Sequence, residues 1–159
     1  LNLLDSNRAT CFAEGVEGPG RGECIYLPMP KNATSVLIDN GYTKSASLYE
    51  KNNRVKKLSM TIFLGINYQG HATEKAVEFE TIPLSDQFYL DLNDTPKAQK
   101  LNLDVDWENL TGAEKEIMVK LARDGRKVDH VRYIARFELE SFFKGTEWDD
   151  TCISGISFD

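Results

Sequence analysis

N-G-Y-T-K-S-A-S-L-Y-E-K-N-N-R-V-K-K-L, residues Asn40 to Leu58, is the stretch whose reading decides the fold. Val36-Leu37-Ile38 leads into it, and Leu58-Ser59-Met60-Thr61-Ile62-Phe63-Leu64 leads out. Both flanks are β-rich. In the second, Leu58, Met60, Ile62 and Leu64 alternate with Ser59 and Thr61, so a strand here has one apolar and one polar face. A slip of one residue would expose the whole apolar set, which makes the register firm. The polar segment between the flanks reads as a loop with two tyrosines, a paired asparagine and an arginine. A loop holding so many planar hydrogen-bonding groups is either a packed bridge or a binding surface, and both readings stand at this point.

The same alternation recurs outward. Glu23 to Leu27 reads as a short strand ended by Pro28 and Pro30. Thr34 to Asn40 reads as a second, with Val36 and Ile38 on one face. Ala76 to Ile82 sets Val77 and Phe79 against Glu78 and Glu80. Phe88, Leu90 and Leu92 alternate with Tyr89 and Asp91, and Leu101, Leu103, Val105 and Trp107 with Asn102, Asp104 and Asp106. Val131 to Glu140 is a long strand, and Cys152, Ile156 and Phe158 mark the last. Strands with one wet face point to antiparallel sheets, not to a parallel α/β core. The period changes once. Thr111 and Glu114 form a capping box, Ile117, Met118, Leu121 and Ala122 share a helical face, and Gly125 is a stop. The pattern predicts an amphipathic helix over Thr111 to Asp124, covering the sandwich.

The 159 residues make one domain with a real core, 41% hydrophobic and 28% charged, with no internal repeat or linker. A net charge of −6 argues against nucleic acid and against an anionic membrane surface. No apolar run is long enough for a transmembrane helix. The first residue is Leu1, and any signal segment is expected to lie before it.

Little in the sequence carries catalytic chemistry. The two histidines, His71 in an expected turn and His130 at a strand start, lie in no catalytic setting. Gly18-Pro19-Gly20-Arg21-Gly22 lacks the strand and helix that a phosphate loop needs. Asp149 or Asp150 has the oxygen chemistry for a structural calcium ion, and no other metal is expected. Cys11, Cys24 and Cys152 contain no C-x-x-C spacing, and three thiols are expected, although Cys11 or Cys24 can approach Cys152 if the chain ends meet.

The stretch N-G-Y-x-K-x-x-x-L-Y-x-x-N-N-R-x-K-x-L resembles a signature of the discoidin-like NADase-type glycan-binding domain, the non-catalytic, translocation-associated domain beside streptococcal NAD glycohydrolase and in other exported bacterial proteins. Cys11 to Gly18 with Gly20 to Ile25, and Lys144-Gly145-Thr146-Glu147-Trp148-Asp149-Asp150-Thr151-Cys152-Ile153-Ser154, resemble its other two motifs in the right order. Phe12 and Cys24 stand where tryptophans are usual, and Gly155 where an acid is. The resemblance implies an all-β, antiparallel sandwich of jelly-roll, galactose-binding-like type, with about eight strands, the helix being an insertion. It implies a glycan or glycoprotein partner, an exported or cell-surface bacterial protein, and no enzyme activity. A protein-binding adhesin surface on the same loops or the helix is the rival.

Sugars offer hydroxyls and an apolar ring face, and proteins meet them with aromatic rings and planar donor–acceptor groups. Within the regions marked by the resemblance, the expected glycan site is Tyr42, Lys44, Tyr49, Asn52, Asn53, Arg54, Trp148 and Asp149. The sugar ring is expected against Tyr49 or Trp148. Arg54 is expected to brace the loop against Asp150 or Glu14.

Overall fold

A computed structural model describes residues 3–4, 7–13, 15–70 and 77–159. Its strands are β1 (Phe12–Ala13), β2 (Cys24–Met29), β3 (Ser35–Asn40), β4 (Asn53–Tyr68), β5 (Glu80–Pro83), β6 (Phe88–Asp91), β7 (Gln99–Asn102), β8 (Val128–Phe143) and β9 (Thr151–Phe158). Two helices interrupt them, α1 (Ala46–Lys51) and α2 (Trp107–Arg123).

β4 is the spine. It pairs antiparallel with β8 from Arg54↔Phe143 to Tyr68↔Val128, and β2 pairs with the far edge of β8. Its other edge takes β6 over Lys57 to Met60 and β5 over Phe63 to Ile66. The opposing layer is β9-β3-β7, with β1 added to β9. The layers join at one place, where Asn53 and Arg54 pair in parallel with Thr151 and Cys152. The result is a β-sandwich whose first and last segments meet, since the Ile156 N–H donates to the Leu3 carbonyl at 3.0 Å.

The core follows the period-two pattern. Val36, Ile38, Leu58, Met60, Ile62 and Leu64 are fully buried, as are Ala135 and Phe137 of β8. Each large apolar side chain so buried contributes about 1.5–3 kcal/mol. Phe137 stacks on Phe158 across the layers, with centroids 6.1 Å apart. The alternate face of β4, expected to be wet, is buried too: Ser59 is 1% and Thr61 7% exposed. β4 has neighbours on both edges, and their long side chains fold over it, Arg136 lying 5.7 Å from the Phe63 ring centre.

Three expectations need correction. The segment between β3 and β4 is not all loop, because it contains α1. The helix expected over Thr111 to Asp124 begins earlier, at Trp107, and Thr111 is an interior residue, not a cap. Asp106 caps it instead, its Oδ1 accepting from the Asn109 N–H at 3.0 Å. The Trp107 indole donates to the Ala33 carbonyl at 2.9 Å and meets Tyr133 edge-on, and these tertiary contacts fix where the helix starts. The strand read through Trp107 therefore stops at Asn102. Third, the strand expected over Ala76 to Ile82 begins only at Glu80, and Val77 is 46% exposed. His71 and Ala76 lie outside the described residues.

α2 covers the sandwich as expected. Leu110 joins the main core, and Leu121 packs with Leu64, Ile66 and Tyr68. Leu121→Asp is therefore expected to lower stability by about 3 kcal/mol, through an unpaired charge in an apolar cluster. Gly112 is the counter-case: it is helical, and a Cβ there would meet nothing within 4 Å. Gly112→Ala is expected to stabilise by about 0.8 kcal/mol. Denaturant titration of both variants checks the pair of signs.

Candidate functional site

The three stretches quoted from the sequence fold onto one another around α1. Ser45 starts this helix, its hydroxyl accepting from the Leu48 N–H at 3.2 Å. The carbonyls at its end would be orphaned in so short a helix. The Lys144–Trp148 loop takes them: Thr146 N–H donates to Glu50 O at 3.0 Å, and Glu147 and Trp148 N–H both donate to Lys51 O, at 3.2 and 2.9 Å. The loop lies so close that a Cβ on Gly145 would overlap the backbone of Lys51 and Asn52.

Asn52, Asn53 and Arg54 are 5%, 1% and 8% exposed, and each is bound to backbone. Asn52 Nδ2 donates to the Leu48 carbonyl at 2.8 Å. Asn53 Nδ2 donates to Asp149 O at 2.6 Å, and its Oδ1 accepts from the Gly145 N–H at 2.7 Å. Arg54 Nη1 reaches Asn52 O and Lys144 O at 3.0 and 3.1 Å. Its other edge forms a two-pronged pair with Asp94, Nε to Oδ1 at 3.0 Å and Nη2 to Oδ2 at 2.7 Å. The brace expected from Asp150 or Glu14 is thus Asp94, which no feature of the sequence singled out; Glu14 lies outside the described residues. The usable signal was chemical: an arginine in a buried motif requires a carboxylate, and the N-D-T-P turn after β6 offers one.

Tyr49 completes the cluster. Its hydroxyl donates to Asp94 Oδ1 at 2.8 Å, and its ring lies under the Arg54 guanidinium, 5.2 Å from centre to carbon. Burial, with the Asp94 carboxylate beside it, pushes the Tyr49 hydroxyl pKa well above its ordinary value. Hydrogen bonding from Arg54 holds the Asp94 carboxyl below its ordinary range. Gly41 sits against this pair at φ +82°, and a Cβ there would stand 2.7 Å from Arg54 Cγ and 2.8 Å from the Tyr49 ring.

Outside this framework is a cleft of about 400 Å³ bordered by Thr43, Ser45, Tyr49, Glu50, Arg54 and Asp94. The Thr43 Oγ1 is buried in its lining and bonds to no protein atom among the described residues. Of the eight expected site residues, Tyr49 and Arg54 line the cleft. Tyr42, half-buried, donates to the Ala9 carbonyl at 3.1 Å, and Lys44 is exposed on the next residue but one. Trp148 is 39% exposed and does not line the cleft; Lys51 Nζ lies 5.0 Å above its ring. Asp149 is exposed beside it. No group of three or more His, Cys, Asp or Glu among the described residues is placed to hold a metal ion.

Two variants test the framework. Gly41→Ala is expected to cost about 2–3 kcal/mol, from left-handed backbone strain and the collision with Tyr49. Asp94→Asn is expected to cost about 2 kcal/mol at neutral pH, leaving Arg54 half-paired. Because Asp94 has a lowered folded pKa, its contribution is present above the unfolded carboxyl value of about 3.9 and is lost as pH falls through the folded value. Melting temperatures of wild type and Asp94→Asn, measured from neutral pH downward, should therefore converge in acid.

Comparison with curated proteins and with solved structures found no significant match. A family model described as the NAD glycohydrolase translocation F5/8 type C domain matches residues 1–159. The motif framework around α1 and the sandwich that carries it agree with that match, and the chain belongs to this family of translocation F5/8 type C domains.

Proposed function

We propose that the domain is a non-catalytic glycan-binding module of an exported bacterial protein, serving translocation as the family's description indicates. The observation that carries this reading is the cleft beside α1. There the Tyr49 ring and the fixed Arg54–Asp94 pair line a cleft together with Thr43, Ser45 and Glu50. This is hydroxyl-recognising chemistry on a rigid base. In this reading Tyr49, with Thr43, Ser45 and Glu50, supplies the sugar-facing surface. Asn52, Asn53 and Arg54 hold that surface in place.

A second reading rests on Trp148. An exposed tryptophan under a lysine, with the Lys51–Glu147 ion pair at 2.7 Å beside it, is the kind of residue that anchors a protein partner. The two readings separate by variant. Glu50→Ala and Ala46→Arg alter the cleft that both residues line, whereas Trp148→Ala alters the neighbouring surface, and none removes a buried anchor.

Binding to a glycan array, followed by titration of any positive sugar, is the test. Open sugar sites of millimolar affinity represent only about 4 kcal/mol, so losing one good contact should weaken binding about tenfold or more. Loss in Glu50→Ala or Ala46→Arg is the expected result. A blank array, or full binding in all three folded variants, would overturn the cleft assignment. No hydrolysis of NAD is expected from the purified domain, and turnover above a buffer control would refute the non-catalytic reading.

A further inference from the structure

β1 is two residues long and pairs with β9, through Phe12↔Ile153 and Ala13↔Cys152. Cys11 immediately precedes β1, and continuing the register past Phe12 sets it opposite Ser154, on the side that Ala13 and its partner Cys152 share. The two cysteines are diagonal neighbours across the strand pair. All three cysteines of the chain stand as thiols, and the Cys152 thiol beside Cys11 holds the Cys11 pKa below its ordinary value. Cys11 is half-buried and reachable from solvent, whereas Cys152 is 2% exposed. Cys24 is apart from both: it lies on β2 opposite Glu138, with its thiol toward the Gly22 carbonyl at 3.5 Å.

We propose that Cys11 and Cys152 are an oxidisable pair, closed to a disulfide by a low-molecular-weight disulfide or a thiol–disulfide oxidoreductase where the protein meets an oxidising compartment. The roles of the two sulfurs differ. Cys11 is the attacking group, because it is accessible and the neighbouring Cys152 thiol lowers its pKa. Its thiolate attacks one sulfur of the oxidant's disulfide and expels the other as a thiolate, leaving a mixed disulfide on Cys11. Cys152 then loses its proton to solvent, attacks the Cys11 sulfur and expels the second oxidant thiolate. Two protein thiols and one disulfide become one protein disulfide and two thiols. A diagonal pair needs a small approach of the backbones to reach bonding geometry. A two-residue edge strand with a turn before it is the element best suited to move.

The bond would join the first strand to the last and close nearly the whole chain into one loop. It would also tie β1 to the residue whose carbonyl accepts from the Gly41 N–H at 3.0 Å, beside the α1 framework. Cys24 is left out by position. Burial raises its thiol pKa, which further slows its attack.

The inference does not require that the domain bind a glycan, and its test uses no glycan. The folded chain is incubated with glutathione disulfide, quenched with acid, denatured, and its thiols titrated. The expected count falls from three to one, peptide mapping links Cys11 to Cys152, and the melting temperature rises by more than about 5 °C. Cys24→Ser should retain the bridge and the rise, while Cys11→Ser should lose both. Cys152 is buried, so Cys11→Ser, at the more accessible position, serves as the deciding variant. Three thiols after prolonged exposure, a glutathione adduct on Cys11 that goes no further, or a bridge involving Cys24 would each overturn the proposal.

Discussion

The Arg54 guanidinium sets the terms for the site. It is almost wholly buried at the point where β4 leaves one layer and touches β9 of the other. A cation in that position needs a partner for each of its donors, because an unpaired buried charge costs far more than a paired one contributes. Asp94 takes one edge, and the carbonyls of Asn52 and Lys144 take the other. Meeting those demands brings together the start of β4, the turn after β6 and the loop before β9. Tyr49 fills the space beneath, which obliges residue 41 to have no side chain. One charged group thus dictates the positions of four separate segments.

Much of this was legible in the sequence and some was not, for identifiable reasons. Val36, Ile38 and the series Leu58 to Leu64 were readable because each strand faces a single core, and period two survives in the residue types. The burial of Ser59 and Thr61 was not, because it depends on neighbours on both edges of β4, which no local pattern records. α1 escaped notice because six residues cannot display a helical period, and its stability comes from a loop about a hundred residues later. The start of α2 was misplaced because Thr111 and Glu114 imitate a capping box while Trp107 continues the alternation of Leu103 and Val105. The contacts of Trp107 with Ala33 and Tyr133 decide the matter, and they are tertiary.

Around the cleft, the motif residues were read from the sequence, but not how they pack. Asn52 and Asn53 have the chemistry of sugar contacts, yet their amides are engaged with backbone at both short and long range. Asp94 lies 40 residues from Arg54, in a turn unremarkable by composition. The cleft was invisible for a different reason. It is defined by Thr43, Ser45 and Glu50, small or common residues that mean nothing until α1 places them around Tyr49.

The close fit of Gly41 and Gly145 against their neighbours has a consequence for how chains of this kind diversify. Gly41 packs on Arg54 and Tyr49 and Gly145 on Lys51 and Asn52, while the asparagines and the arginine spend their bonds on backbone and on Asp94. The exposed side chains of Lys44 and Glu50 stand outside this knot. A change at those exposed positions therefore leaves the knot, and the end of the sandwich that it ties together, intact.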